Sequence, residues 1–120
     1  MIAVICTDGQ LNVSQMHKEC VGGKWIPLLV LKERSTGTIH LPIFNIDDIC
    51  KKFVARNLPK EWSKGCVHLT QEDANLIENK GWKYMLFDFP RKINEHPDYE
   101  MTFEIHEFDE QPDFMMSNYR

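Results

Sequence analysis

Residues 24–44 read KWIPLLVLKERSTGTIHLPIF, two short apolar runs joined by turn residues. The first run, Lys24–Glu33, has the composition of a β-strand, and Pro27 in it favours a sheet edge or an irregular start. Ser35-Thr36-Gly37 then supplies residues that are common in turns. The chain returns as a second apolar run over Thr38–Phe44. The stretch therefore predicts a β-hairpin.

An amphipathic helix is predicted directly after this hairpin. Asn45 is a suitable N-cap, and Asp47 and Asp48 place carboxylates in the first turn, where the helix dipole favours them. Apolar residues then recur at positions i, i+3, i+4, i+7 and i+8, the pattern of a helix that buries one face. These residues are Ile46, Ile49, Cys50, Phe53 and Val54. The helix should end before Pro59.

Shorter strands and a second helix are predicted before and after the hairpin and its helix. Ile2–Cys6 is an apolar run typical of a short buried strand, and Cys66–Leu69 predicts another. Thr70–Asp73 resembles a capping box, which indicates that a second helix begins there. Gly81 is placed for a left-handed C-cap, so this helix should be short.

Two strands are predicted near the C-terminus. Trp82–Phe89 has large apolar residues on both faces, which suggests an inner strand that is covered on both sides. Residues 99–106 alternate between apolar and polar, which is the period of a half-buried strand. We expect this strand to pair antiparallel with Trp82–Phe89. Its outer face should be acidic.

The order of these elements predicts an α+β fold. We expect a single mixed or antiparallel sheet of about five to six strands with two helices on one face. The chain has 120 residues, 42% of them hydrophobic, which is enough for one domain with a core that needs no disulfides. This domain should span residues 1–108. Residues 109–120 are acidic, contain Pro112 and lack periodicity, so we expect a loosely ordered tail.

Charge is distributed unevenly along the chain. Residues 95–120 hold eight carboxylates and one base, so the net charge of −4 combines −7 from this segment with +3 from the rest. Lys52, Arg56 and Lys60 follow an i, i+4 spacing and form a basic ridge, with Trp62 as an aromatic neighbour. This ridge could contact an acidic protein surface or phosphates, although a solvated helix face has the same pattern. A sequence pI of about 5.7 argues against a nucleic-acid binder.

The cysteines carry no metal or redox motif. Cys6, Cys20, Cys50 and Cys66 are 14, 30 and 16 positions apart, without a C-x-x-C pair. We therefore expect buried thiols in a reducing compartment. The apolar opening residues are too short for a signal or membrane segment, so we expect a cytoplasmic protein that does not bind membranes.

No catalytic motif is present, and we expect neither a metal nor another cofactor. The first hypothesis is a small non-catalytic interaction protein, a homodimer or a binder of another protein. Its contact residues would be Lys52, Arg56, Lys60, Trp62, Glu100, Glu104 and His106. The alternative is a small-ligand-binding protein or an enzyme whose pocket uses Cys66, His68 and His40, because Cys66 and His68 share a strand face.

Residues 25–89 resemble the pattern of small SseB-type N-terminal domains. The resemblance lies in Leu41-Pro42-Ile43-Phe44, the following helix that contains Phe53, and Leu69-Thr70-Gln71-Glu72-Asp73 with Gly81. It implies a non-catalytic α+β module whose partners vary, and it transfers no functional residue. The acidic C-terminal strand has no counterpart in this pattern.

Overall fold

The computed structural model describes residues 1–8 and 25–108, together with the backbone of residues 113–115. Within these ranges the chain forms one mixed sheet and two helices, which confirms the α+β class. The elements are β1 (Ile2–Thr7), β2 (Trp25–Glu33), β3 (Ile39–Phe44), α1 (Asp47–Asn57), β4 (Ser63–His68), α2 (Gln71–Asn79), β5 (Lys83–Leu86), β6 (Tyr99–Glu107) and β7 (Asp113–Met115). Six strands come from the predicted domain and one from the tail.

Strand β2 organises the sheet. It pairs antiparallel with β6 along its whole length, and it also pairs antiparallel with β3 and β1. The predicted hairpin is confirmed: Leu31 lies opposite His40, and the N–H of Glu33 donates to the carbonyl of Thr38 at 2.9 Å. Strand β1 continues the sheet to β4, and β5 pairs parallel with β3.

The predicted pairing of the two C-terminal strands is wrong. Strand β6 pairs with β2, whereas β5 has only four residues and pairs parallel with β3. The nine residues of β2 offer β6 a full-length ladder, which the short β5 cannot. Strand β5 is therefore an edge strand with half-buried and exposed residues, not an inner strand covered on both sides.

The core lies on both faces of the sheet. On one face, Val4 and Leu29 pack in a cluster with Phe53 of α1. On the other face, Ile5 and Leu28 belong to a second cluster, which includes Ile77 of α2, so the helices do not share the face that the sequence suggested. Because β1 and β2 are apolar at consecutive positions, both of their faces need cover, and each helix supplies it on one side.

The first helix has the predicted apolar stripe but a different N-terminus. Its N-cap is Ile46, without a side-chain hydrogen bond, so the prediction of Asn45 as the cap is wrong. Two i, i+4 ion pairs support the first turns instead, because Lys51 and Lys52 each lie 3.1 Å from an aspartate of that turn. The helix ends before Pro59, as predicted.

The second helix begins with the predicted capping box. Thr70 Oγ1 accepts from the N–H of Asp73 at 3.2 Å, and the N–H of Thr70 donates to Asp73 Oδ2 at 2.9 Å. Gly81 follows the helix with a φ of +92°, which confirms the left-handed C-cap. The hydroxyl of Tyr84 donates to the carbonyl of Ala74, so the helix is also tied to β5.

Removal of the cap should weaken this helix measurably. We expect Thr70→Ala to lower the free energy of unfolding by about 1 kcal/mol, because the N–H of Asp73 loses its acceptor. Urea denaturation monitored by circular dichroism would measure the loss. Thr70→Ser keeps the hydroxyl and should retain most of the stability; equal losses in the two variants would contradict the capping role.

Part of the predicted tail belongs to the sheet. Asp113–Met115 pairs antiparallel with β4, so these three residues do not follow the expectation of a loosely ordered tail. The predicted burial is confirmed for Cys6, Cys50 and Cys66, whereas Cys20 lies outside the described ranges. Neither described helix has the length and apolar character needed to cross a bilayer.

Candidate interaction surface

Among the strands that the structure describes, β6 forms a long edge of the sheet. Its ladder with β2 runs without a bulge from Trp25 opposite Glu107 to Glu33 opposite Tyr99. Within the described parts of the chain, β6 pairs with β2 alone, and the other terminal strands, β5 and β7, have only four and three residues. An unpaired edge of this length presents backbone donors and acceptors that another strand can use.

One face of this edge is apolar and accessible. Ile105 is 47% exposed, and its diagonal neighbour across the ladder, Trp25, is 40% exposed. Met101 and Phe103 on the same face are half-buried, and the ring of Trp62 lies edge-on to Phe103 with centroids 6.1 Å apart. We call these five residues the β6 surface.

The opposite face of β6 is less acidic than predicted. Glu100 is exposed and Glu104 is half-buried, but only 3% of His106 is exposed. The ring of His106 packs against Trp82 and Phe108, with centroid distances of 5.7 and 4.5 Å. The prediction of His106 as an exposed contact residue is therefore wrong, because this end of β6 covers the second core cluster.

His106 is neutral at pH 7 in this environment. Burial, the largest cause, and the positive charge of Lys80 together lower the pKa of its imidazole to about 4. Lys80 Nζ lies 3.4 Å from His106 Nδ1, while His106 Nε2 has no hydrogen-bond partner among the residues that the structure describes. Only Glu100 and Glu104 bring negative charge to this face of β6.

The basic ridge is largely engaged in local contacts. Lys52 forms its ion pair with Asp48, and Arg56 Nη1 donates to the carbonyl of Pro90 at 2.6 Å. Lys60 is exposed just after α1. The structure does not place the ridge residues against β6. It does place Trp62, their predicted aromatic neighbour, against Phe103 of that strand.

The alternative Cys–His pocket is not assembled. Cys66 is buried opposite Val4, and His68 is exposed opposite Ile2 at the end of the same strand. His40 lies on β3, four residues or about 13 Å along that strand from the position that pairs with Ile2. The three side chains therefore do not share a site.

The surroundings of His40 and Cys6 also argue against a shared site. His40 Nε2 lies 3.3 Å from Glu33 Oε2, and this hydrogen bond lowers the pKa of the Glu33 carboxyl. Burial raises the pKa of the Cys6 thiol to about 12, so it is protonated at neutral pH. Within residues 1–8 and 25–108, no group of three His, Cys, Asp or Glu side chains is arranged to hold a metal ion.

Sequence reasoning missed the apolar part of the β6 surface. The alternation over residues 99–106 predicts a half-buried strand with an acidic outer face, which places Ile105 and Phe103 on the covered side, and Trp25 has no predicted role in an interface. The signal that could have found it is the position of Trp25 and Ile105 near strand ends, where cover by other elements is least complete. Comparison with known proteins gave no matching family model, curated protein or solved structure, so the resemblance to SseB-type domains remains a prediction.

Proposed function

We propose that this protein is a small non-catalytic interaction protein that forms a homodimer through strand β6. The observation that carries the proposal is the unbroken nine-residue ladder between β2 and β6, which leaves a long edge beside the β6 surface. Pairing of this edge would satisfy its backbone groups and cover Ile105, which is otherwise 47% exposed.

Two arrangements of a dimer can be compared: pairing of β6 with β6, and contact of the acidic face of one copy with the basic ridge of the other. The structure favours the first. A contact between the ridge of one copy and the acidic face of the other closes into a dimer only if it forms twice, so that each copy uses both surfaces at once. The ridge residues Lys52 and Arg56 also have partners within their own chain. Pairing of β6 with β6 uses the same surface twice and closes.

The remaining features support a protein of this kind. Cys6, Cys50 and Cys66 are buried in the core, as expected for cysteines of a protein in the reducing compartment that the sequence predicts. Each β6 strand carries three glutamates, so two copies bring six negative charges together. Salt screens this repulsion, and the dimer should therefore be more stable at high ionic strength.

A charge within the β6 surface should weaken the association of two copies. We expect Ile105→Arg to raise the dimer dissociation constant about tenfold or more, because the guanidinium cannot be desolvated against an apolar neighbour without cost. Sedimentation velocity at micromolar concentrations, at low and high salt, would measure this change.

Ile46→Arg is the matched control. Ile46 is 55% exposed, but it lies at the N-cap of α1 rather than on β6, so this variant should dimerise like the wild type. A wild-type protein that stays monomeric at both salt concentrations would overturn the proposal. Equal effects of the two substitutions would overturn the assignment to β6.

A further inference from the structure

We infer that the two β6 strands pair antiparallel about a two-fold axis that passes between the two copies of Phe103. This inference rests on the proposed dimer and specifies which residues of the two copies face each other. It is carried by the length of β6, by the positions of its charges and by the symmetry that a dimer imposes.

Symmetry restricts the registers that are possible. Two antiparallel strands in one continuous sheet are related by an axis perpendicular to the sheet, so each residue keeps its face in both copies. Successive side chains alternate between faces, and residues that lie opposite each other must share a face. The axis therefore passes between the two copies of a single β6 residue, and even-numbered residues lie opposite even-numbered ones.

Strand length favours Phe103 among these positions. Phe103 is the middle residue of Tyr99–Glu107, so an axis there pairs all nine residues of each strand. An axis at Thr102 or Glu104 leaves two of the nine unpaired in each copy. Backbone groups that stay unpaired forgo the hydrogen bonds that make strand addition favourable.

The charges favour the same axis. With the axis at Phe103, no glutamate lies directly opposite another, and the three opposed pairs are Glu100 with His106, Glu104 with Thr102, and Glu107 with Tyr99. With the axis at Thr102, Glu100 would face Glu104. With the axis at Glu104, that residue would face its own copy. Like charges directly opposite each other destabilise a sheet.

The apolar side chains are matched in this register. Phe103 lies opposite Phe103 of the second copy, and Met101 lies opposite Ile105. The most exposed residue of the strand, Ile105, thus gains an apolar neighbour, and Trp62 already lies against Phe103 near the axis. Cross-strand apolar and aromatic pairs of this kind stabilise antiparallel sheets.

Disulfide trapping between two different variants tests the register. One chain would carry Met101→Cys and the other Ile105→Cys, both with Cys20→Ser so that this native thiol takes no part. Directly opposed residues of an antiparallel pair have the Cα separation that a disulfide requires. After mild oxidation, we expect the mixture to give a covalent heterodimer, because Met101 and Ile105 face each other.

Each variant alone is the matched control. Two copies of Ile105→Cys would hold their thiols about four residues apart along the strands, which is too far for a disulfide. A second pair, Thr102→Cys with Glu104→Cys, tests the same register on the other face of β6. Circular dichroism would show that every variant is folded.

The outcomes separate the inference from the proposed function. Cross-linking of both mixtures, without cross-linking of the single variants, supports the axis at Phe103. A dimer by sedimentation that neither mixture cross-links has another register, which overturns the inference and leaves the proposed dimer intact. A wild-type protein that is monomeric overturns both.

Discussion

Replacement of Asn57 by alanine should lower the free energy of unfolding by about 3 kcal/mol, more than the loss of any exposed side chain. Asn57 is the last residue of α1 and is 3% exposed. Its Oδ1 accepts from the N–H groups of Ile93 (2.6 Å) and Asn94 (3.1 Å). Its Nδ2 donates to the carbonyls of Phe53 (2.9 Å) and Arg91 (2.7 Å). One side chain therefore fixes the loop between β5 and β6 to the end of the helix.

The expected loss is large because Asn57 and two of its four partners, Phe53 and Ile93, are buried. The N–H of Ile93 would lose its acceptor while the Ile93 side chain stays in the first core cluster. A buried polar group that loses its partner costs about 1–3 kcal/mol, and alanine removes the partner of two such groups at once, the Phe53 carbonyl and the Ile93 N–H. Urea denaturation would measure the loss in the free energy of unfolding. Faster amide hydrogen exchange at Ile93 would show that the loss arises at this loop.

Arg56→Ala is the matched control for this prediction. Arg56 also donates to the loop, to the carbonyl of Pro90, but its side chain is exposed. Water can replace that hydrogen bond, so the variant should lose less than about 1 kcal/mol. Equal losses for the two variants would show that Asn57 does not act through its buried hydrogen bonds.

Local signals in the sequence were sufficient for most elements of the fold. The turn residues around Gly37 and the two apolar runs beside it predicted the β2–β3 hairpin, because the hairpin depends on neighbouring residues only. The Thr70–Asp73 capping box has the same local character. Strand pairing, in contrast, is not decided by neighbouring residues. Strand β6 pairs with β2 across more than sixty residues, and no local periodicity distinguishes β2 from β5 as its partner.

The same limit applies to the candidate surface. Alternation assigned Ile105 correctly to the apolar face of β6, but its exposure depends on β6 being an edge strand. His106 shows the opposite case, since its polar position in the alternation indicated solvent, whereas Trp82 and Phe108 enclose it. Which faces of a strand are covered is decided by the whole sheet, so exposure could not be derived from the alternation alone.

Stability should fall as the pH is lowered from 7 to 4, and His106 should account for about 3 kcal/mol of the loss. The pKa of His106 is about 4 in the folded protein, below the ordinary value of 6.5 expected in the unfolded chain. Between these two values the unfolded chain binds a proton that the folded protein does not. The contribution of neutral His106 is therefore complete above pH 6.5 and is lost progressively down to pH 4.

The surroundings of His106 explain the direction of this effect. Trp82 and Phe108 exclude water from the ring, and Lys80 Nζ places a positive charge 3.4 Å from Nδ1. Asp73 opposes the shift, but its influence is the smallest of the three causes, after burial and Lys80. A proton on the ring would be both poorly solvated and next to a like charge.

His106→Phe removes the titrating group and keeps an aromatic ring in the same space. Between pH 6.5 and 4, we expect the free energy of unfolding of this variant to fall by about 3 kcal/mol less than that of the wild type. His68→Gln removes an exposed histidine from β4 and should leave the wild-type dependence unchanged. Urea denaturation at several pH values would compare the three proteins, with the carboxylates as a background common to all. If His106→Phe kept the wild-type slope, the acid sensitivity would have to arise from those carboxylates, and the imidazole of His106 would not be held neutral by its burial.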